Sequence, residues 1–197
     1  MWTKNITNLS PPPAIADWLS KPQNLSQALR RVCCDLSLTI ISQKMESPMK
    51  DESIRLGLVK RELQTEERCY IRKIFLKGDG VPLTYGRVVI PDNVYKKYYA
   101  AFSQLKNKLL GETLLYNNPR TQRSYFEYAD IRPPHPLFES ILMALPPTFC
   151  VPVQFWGRRS LFYMESIDPL LVVDILLYDL PYFMDDDVLY RDFTAVR

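Results

Sequence analysis

Alternating apolar and polar positions predict two β-hairpins, one in the middle of the chain and one near its end. Cys69 to Leu76 and Val81 to Ile90 are rich in β-branched and aromatic residues, and Lys77 to Gly80 between them has the composition of a tight turn. Phe155 to Met164 and Leu170 to Tyr178 have the same character. We therefore expect two antiparallel pairs of strands that contribute to an antiparallel sheet.

Helices are expected before and between the hairpins, where apolar residues recur at helical spacing. Asn24 can cap one helix while Gln27, three residues later, reaches back in a capping-box arrangement. The predicted helices cover residues 14–19, 24–32 and 92–108, with a short one from about Gly111. Further strands are predicted at residues 36–42 and 123–129 and near Leu58, after a polar loop at 45–57.

The segment from Ile131 to Pro152 contains six prolines and encloses an apolar stretch, Leu137 to Leu145, that is long enough for one short helix. We interpret this segment as an inserted loop or cover. The whole pattern predicts a single α+β domain over residues 1–197, with helices packed on one face of the sheet. The acidic tail at residues 185–187 is expected to fray.

Composition and charge exclude several classes of function. The 25 Lys and Arg against 22 Asp and Glu give a net charge of +3, which is too weak for a nucleic-acid-binding surface. Sixteen prolines and six glycines leave few positions for a glycine-rich phosphate cradle. No apolar stretch approaches the roughly 20 residues that span a bilayer, and the N-terminus lacks the apolar core of a signal peptide. We expect a cytoplasmic protein without an integral membrane segment.

The cysteines and the histidine give no sign of a metal site or a disulfide. The four cysteines, at positions 33, 34, 69 and 150, have no CxxC spacing, and His135 is the only histidine. His135 lies among prolines without a serine or cysteine motif around it, so a nucleophile–histidine pair is disfavoured. We expect free thiols in a reducing compartment, and neither a metal nor another cofactor.

Two charged residues fall among apolar neighbours on their predicted strands. Alternation places Arg72 on the same face as Tyr70 and Ile74, and Asp174 on the same face as Val172. A buried charge without a partner costs several kcal/mol, so each must find a partner or a ligand. The alternatives are that the two pair with each other or that one faces solvent. Lys73, on the opposite face, is expected to be solvated.

The sequence Trp156-Gly157-Arg158-Arg159-Ser160 opens the last hairpin, and alternation must point its two arginines to opposite faces. One of them could face a pocket. The alternative is an edge or solvent-facing arginine stacked on Trp156. The helix start at Gly111 offers backbone N–H groups that suit a carboxylate, although every helix start does so.

Two segments of the last hairpin, FWGRRS at residues 155–160 and DPLLVVDILL at 168–177, resemble the C-terminal hairpin of the chorismate pyruvate-lyase family. The resemblance extends in order over nearly the whole chain. It includes Asp17–Leu19, Asn24–Gln27, Ile71–Leu76, Gly78–Gly80, Gly86–Pro91, Leu109–Gly111 and Leu114–Leu115.

The resemblance implies an antiparallel sheet closed over a buried ligand cavity, and an elimination of pyruvate from chorismate that leaves 4-hydroxybenzoate for ubiquinone. It implies no cofactor. By motif, Arg72 grips the ring carboxylate, the backbone N–H of Leu110 assists, Leu25 contacts the ligand, and Asp174 receives the ring hydroxyl. Arg87 or an arginine of the Trp156 motif is expected to meet the second carboxylate. We expect a monomer, because no apolar edge or heptad pattern remains after the core is assigned.

This chain departs from the family pattern at three positions and in one segment. The family usually has glutamate where Asp174 stands, glutamate where Lys73 stands, and proline where Leu109 stands. The proline-rich segment from Ile131 to Pro152 is also longer than the family pattern leads us to expect. The alternative function is a non-catalytic domain that binds an aromatic acid, because effector domains of GntR-type transcription regulators resemble the same fold.

Overall fold

The computed structural model describes residues 1–58, 68–177, 180 and 183, and its centre is a seven-stranded antiparallel sheet. The strand order is β1-β2-β3-β7-β6-β4, and β5 also pairs with β6. The strands are β1 Leu36–Glu46, β2 Cys69–Gly78, β3 Val81–Pro91, β4 Gln122–Arg123, β5 Glu127–Ile131, β6 Phe155–Met164 and β7 Asp168–Leu176. Both predicted hairpins are confirmed, and the pairing of β3 with β7 joins them.

In the described part of the chain six short α-helices accompany the sheet, together with a 3-10 turn at Ile6–Leu9 and a helical turn at Gly111–Leu115. The helices are α1 Pro13–Ser20, α2 Leu25–Leu29, α3 Lys50–Arg55, α4 Asp92–Lys97, α5 Tyr99–Ser103 and α6 Pro136–Leu142. Asn24 caps α2 as predicted, since its side chain accepts a hydrogen bond from the backbone N–H of Gln27 at 3.2 Å.

Several predicted boundaries are wrong. The helix expected at residues 92–108 breaks at Tyr98, whose backbone leaves the helical region and whose hydroxyl donates to Asp168 on β7 at 2.9 Å. Helix α2 ends at Leu29 rather than at residue 32, and the strand expected at 123–129 is interrupted between β4 and β5. The loop expected at 45–57 contains the end of β1 and helix α3.

Helices cover both faces of the sheet, not one. We call the side that carries Arg72 and Asp174 the front face and the other side the rear face. Helices α1 and α2 and the α4–α5 pair bury their apolar residues on the front face, while α3 and α6 pack on the rear face. The two faces are both apolar because alternate residues of the central strands are buried on each side.

The proline-rich segment at residues 131–152 lies on the rear face. Its helix α6 buries Leu137, Phe138 and Ile141 against the sheet, and Tyr85 of β3 shares a hydrogen bond of 3.1 Å with Ser140. The segment therefore packs on the face opposite Arg72 and Asp174, and its interpretation as an inserted cover stays a prediction.

Three expectations fall wholly or partly outside the described residues: the strand near Leu58, the end of the last strand at Tyr178 and the tail at residues 185–187. Within the described part of the chain, no helix is long and apolar enough to cross a membrane.

Candidate functional site

Arg72 and Asp174 lie on the same face of the sheet, as alternation predicts. Arg72 on β2 lies opposite Val88 on β3, and Val88 lies opposite Val172 on β7. Asp174, two residues beyond Val172, lies opposite Gly86. Directly opposed residues of antiparallel strands point to the same side. Strands β2 and β7 are two positions apart in the sheet, which corresponds to about 10 Å. This distance is sufficient for a flat ring between the two side chains.

The floor between the two charged residues is apolar. Val88 and Val172 follow Arg72 across the sheet, and Ile74 pairs with Gly86 in the adjacent row. A Cβ atom on Gly86 would come within 2.9 Å of the Ile74 side chain, so glycine at this position allows Ile74 to lie across the strand. Such a surface suits the face of a ring.

Arg72 is 2% exposed, and its guanidinium holds the loop that leads to Leu110. Its Nη2 atom donates to the carbonyl oxygens of Lys106 at 2.8 Å and Lys108 at 2.9 Å. Burial lowers the pKa of Arg72, because removal from water disfavours the charged form. Since the Arg72 guanidinium donates to these carbonyl oxygens and the Asp174 carboxylate contacts Arg158, the alternative that Arg72 and Asp174 form an ion pair is wrong.

Asp174 pairs instead with Arg158, which lies opposite it on β6. The Arg158 Nε atom is 3.2 Å from the Asp174 carboxylate, and Arg158 Nη1 donates to the carbonyl oxygens of Leu19 and Pro22 at 3.2 and 2.6 Å. The pair also anchors the connection between α1 and α2. The prediction that the two arginines of the Trp156 motif point to opposite faces is confirmed, because Arg158 lies on the front face with Asp174 and Arg159 pairs with Val173 on the rear face. The Arg158 guanidinium lies over Phe126, not Trp156.

A third buried arginine on the front face, Arg123, was not identified by the sequence. It pairs with Phe162 across β4 and β6, and its Nη1 donates to the carbonyl oxygen of Gln23 at 2.7 Å. Its pKa is lowered to about 10, mainly by burial and further by Arg158, whereas Tyr116 and Asp174 oppose the shift. Burial likewise raises the pKa of Tyr116. No local pattern distinguishes Arg123 from a surface arginine, because only the β4–β6 pairing buries it.

Two cavities open near the front-face site. One of about 410 Å³ is lined by Gln23, Arg123, Phe126 and Tyr128, among others, and lies beside the Arg158–Asp174 pair. The other, of about 330 Å³, is lined by Leu76, Lys108 and Leu109 and lies beside the loop that Arg72 holds. Neither Arg72 nor Asp174 lines either of these two cavities, so a single chamber between those two residues stays a prediction.

Leu25 and Leu110 stand at the starts of two helical segments that are linked to each other. Both leucines are buried on the front face. Ser26 donates to the Glu112 carboxylate at 2.9 Å, and Arg30 contacts the same carboxylate at 3.2 Å. These contacts connect α2 to the turn at Gly111–Leu115, and we call them the Glu112 latch.

Arg87 lies on the rear face, so the expectation that it meets a second carboxylate at the site is wrong. Its guanidinium makes two contacts with Glu52 of α3, at 2.6 and 2.9 Å. The reason is a β-bulge in the first hairpin. The register shifts between Leu76 and Lys77, so that Arg87 pairs with Lys73; without that shift it would lie opposite Arg72 on the front face.

The other rear-face charges are paired as well. Lys73, expected to be solvated, contacts Glu46 at 2.6 Å. Arg159 contacts Asp51 and Glu127, each at 2.7 Å, and its guanidinium lies 4.5 Å from the ring of Trp2. Rear-face cations therefore hold α3 and the N-terminal segment against the sheet.

The residues described show no group of three or more His, Cys, Asp or Glu that could hold a metal ion. His135 has a local structural role, because its Nδ1 atom accepts a hydrogen bond from the backbone N–H of Leu137 at 3.1 Å and so caps α6. The four cysteines carry free thiols.

Comparisons with known proteins identify a family and a similar fold. A family model described as chorismate lyase matches residues 1–186. A protein of Pseudoalteromonas atlantica named probable chorismate pyruvate-lyase is 30% identical over 93% of this chain and 90% of its own length. One of the same name from Aromatoleum aromaticum is 28% identical over 89% of this chain and 91% of its own length.

Among solved structures, the effector-binding domain of the trehalose repressor of Bacillus subtilis has a similar fold. Its TM-score is 0.50 at 10% identity, and the match covers 79% of this chain and 99% of that domain. This likeness confirms the α+β fold class.

Proposed function

Because the chain belongs to the chorismate lyase family, we propose that it eliminates pyruvate from chorismate and leaves 4-hydroxybenzoate, the ring precursor of ubiquinone. The observation that supports this proposal best is the position of Arg72 and Asp174 on one face of the sheet with an apolar floor between them. A flat aromatic acid needs a cation at one end, a hydrogen-bond acceptor at the other and apolar walls.

In this proposal Arg72 holds the ring carboxylate. The two described partners of its Nη2 atom are neutral carbonyl oxygens, so they orient the guanidinium without cancelling its charge. The N–H of Leu110 lies at the start of the helical turn that follows the same loop, where backbone donors are not used within the helix. Leu25 supplies an apolar contact from α2.

Asp174 accepts the hydroxyl at the other end of the ring. Its carboxylate has two oxygens, and the contact with Arg158 Nε at 3.2 Å fixes its orientation. Aspartate reaches about one methylene less far than the glutamate that this position usually has in the family. A misplacement of about 1 Å can cost roughly 100-fold in rate, so turnover depends on how closely the ring approaches.

The reaction breaks the bond between ring carbon C3 and the ether oxygen. The hydrogen on ring carbon C4 leaves as a proton, its bonding electrons complete the aromatic ring, and the enolpyruvyl oxygen departs with the electrons of the broken bond. Protonation of the released enol carbon gives pyruvate. Aromatisation supplies much of the driving force, so the protein acts by proximity and by stabilising the developing charge. We expect the reaction to need neither metal nor cofactor.

The decisive experiment is incubation of the purified chain with chorismate, with the ultraviolet absorbance of 4-hydroxybenzoate as readout. We expect product to form at the same rate with and without a metal chelator. If no product forms while 4-hydroxybenzoate still raises the melting temperature, the protein is a non-catalytic binder of aromatic acids. Size-exclusion chromatography tests the expected monomer, and fractionation of the source cells tests the expected cytoplasmic location.

A further inference from the structure

The Arg158–Asp174 pair has a buried cationic neighbour, Arg123, which makes none of the ligand contacts described above. Chorismate carries two carboxylates, and Arg72 accounts for one of them. We propose, on the basis of the proposed function, that Arg123 binds the enolpyruvyl carboxylate of chorismate. This contact lets the site distinguish the dicarboxylate substrate from the monocarboxylate product 4-hydroxybenzoate.

The sheet brings Arg123 to the correct end of the ligand. Arg123 pairs with Phe162 of β6, which places it on the front face with Arg158. The guanidinium carbons of Arg123 and Arg158 lie 4.4 and 4.3 Å from the centre of the same ring, that of Phe126. In chorismate the ether is attached next to the carbon that bears the hydroxyl. With the hydroxyl at Asp174, the second carboxylate therefore lies at this end, away from Arg72.

The cavity beside Arg123 provides room for the enolpyruvyl group. Its volume is about 410 Å³, and its wall includes Gln23, Phe126 and Tyr128. Tyr128 pairs with Arg158, which pairs with Asp174, so the cavity borders the same row of the sheet as the proposed hydroxyl acceptor. A ring held between Arg72 and Asp174 would direct a substituent next to its hydroxyl into this space.

Arg123 and Arg158 differ in their relation to this cavity. Arg158 contacts the Asp174 carboxylate and two carbonyl oxygens, whereas Arg123 is among the residues that line the cavity. Arg123 stays cationic at neutral pH even though burial and Arg158 lower its pKa to about 10. A carboxylate placed near both guanidiniums would offset their repulsion, and the charge-assisted hydrogen bonds that it accepts from them would be strong.

A purely structural role for Arg123 makes a different prediction. Its bond to the Gln23 carbonyl holds the chain just before Leu25, so loss of the arginine could disturb every ligand alike. The test must therefore compare ligands that differ only in the second carboxylate. Suitable probes are 3-(carboxymethoxy)-4-hydroxybenzoate, its neutral carboxamide 3-(carbamoylmethoxy)-4-hydroxybenzoate, and 4-hydroxybenzoate itself.

Titration calorimetry with these three probes measures the contribution of the charge. We expect the unaltered protein to bind the acid about 30-fold more tightly than the carboxamide, as is typical of hydrogen bonds to a charged group. In Arg123→Gln this preference should fall below about threefold while the affinity for 4-hydroxybenzoate changes by less than about threefold. Arg123→Lys should keep part of the preference, and Arg120→Gln, an exposed arginine of the preceding segment, should keep all of it.

The proposal is overturned if the unaltered protein shows no preference for the acid, if Arg123→Gln retains it, or if the affinity for 4-hydroxybenzoate falls in parallel. If Arg123→Gln does not fold, Arg123→Lys is the test variant. An unchanged preference for the acid over the carboxamide contradicts the proposal, and a reduced preference supports it. These are binding measurements, so they test the Arg123 site separately from the lyase function. If the protein forms no product but still prefers the acid through Arg123, the lyase function is refuted and the anion-binding site is supported.

Discussion

Arg158 and Asp174 face each other across β6 and β7, with 3.2 Å between Nε and the carboxylate. The arginine side chain is 2% exposed and the aspartate side chain 25%, so the carboxylate alone reaches toward the space above the sheet. The pair thus has two consequences. It neutralises a deeply buried cation, and it presents an oriented carboxylate on the same face as Arg72.

Replacement of Asp174 should lower the catalytic efficiency. We expect Asp174→Asn to lower kcat/KM for chorismate by about 100-fold or more, since the acceptor loses its charge and Arg158 loses its counter-ion. Asp174→Glu should retain or raise activity, because the longer side chain carries the same charge closer to the ring. Absorbance of 4-hydroxybenzoate measures both. Equal activity of Asp174→Asn and the unaltered protein would remove Asp174 from the site.

Loss of the carboxylate anchor should abolish turnover. Arg72→Ala removes charge-assisted hydrogen bonds worth about 1.5–3 kcal/mol each, so both product formation and 4-hydroxybenzoate binding should disappear. Arg72→Lys should restore a small part of the binding, because lysine keeps the charge without the planar fork. Arg68→Gln is a matched control, an exposed arginine next to the start of the same strand. The assignment fails if Arg72→Ala binds 4-hydroxybenzoate normally.

Loss of the Glu52 carboxylate, which contacts Arg87 on the rear face, should lower the free energy of unfolding without altering the ligand site. Glu52→Gln leaves the Arg87 guanidinium buried without its main counter-ion, and such a change costs about 3–5 kcal/mol in the free energy of unfolding. Urea denaturation measures this loss. At temperatures where the variant is folded, its affinity for 4-hydroxybenzoate should be within about threefold of normal. A parallel loss of affinity would instead place Arg87 in contact with the ligand.

The Glu112 latch should control product release. Its residues are partly exposed, so Glu112→Gln should change the free energy of unfolding by less than about 1 kcal/mol. Because the latch joins the segments that carry Leu25 and Leu110, its loss should speed 4-hydroxybenzoate dissociation about fivefold, measured by stopped-flow displacement. Glu165→Gln, in an exposed pair with Lys97, is the control. An unchanged dissociation rate would show that the latch is only structural.

His135 should make stability sensitive to mild acid. Burial lowers the pKa of His135 below its usual value of 6.5, and its Nδ1 must stay unprotonated to cap α6. The unfolded chain therefore binds a proton more readily, so stability is lost as pH falls below about 6.5. His135→Asn keeps a capping side chain that does not titrate, and its melting temperature should fall less between pH 7.5 and 5.5. An identical fall in both proteins would contradict this role.

The sequence by itself determined the two hairpins, the α2 cap at Asn24 and the shared face of Arg72 with Tyr70 and Ile74. These features depend on alternation and on short-range hydrogen bonds, both of which are local properties of the chain. The resemblance to the lyase family added candidate residues, and the structure places Leu25, Arg72, Leu110 and Asp174 on one side of the sheet.

Only the tertiary structure decided which charges meet. Arg87 lies on the rear face because a bulge near the first turn shifts the register by one residue, and a shift of one residue sends a side chain to the other face. Arg123 and Arg158 come together because β6 pairs with both β4 and β7. Strand order and register depend on contacts between residues far apart in the chain, and no local pattern specifies them.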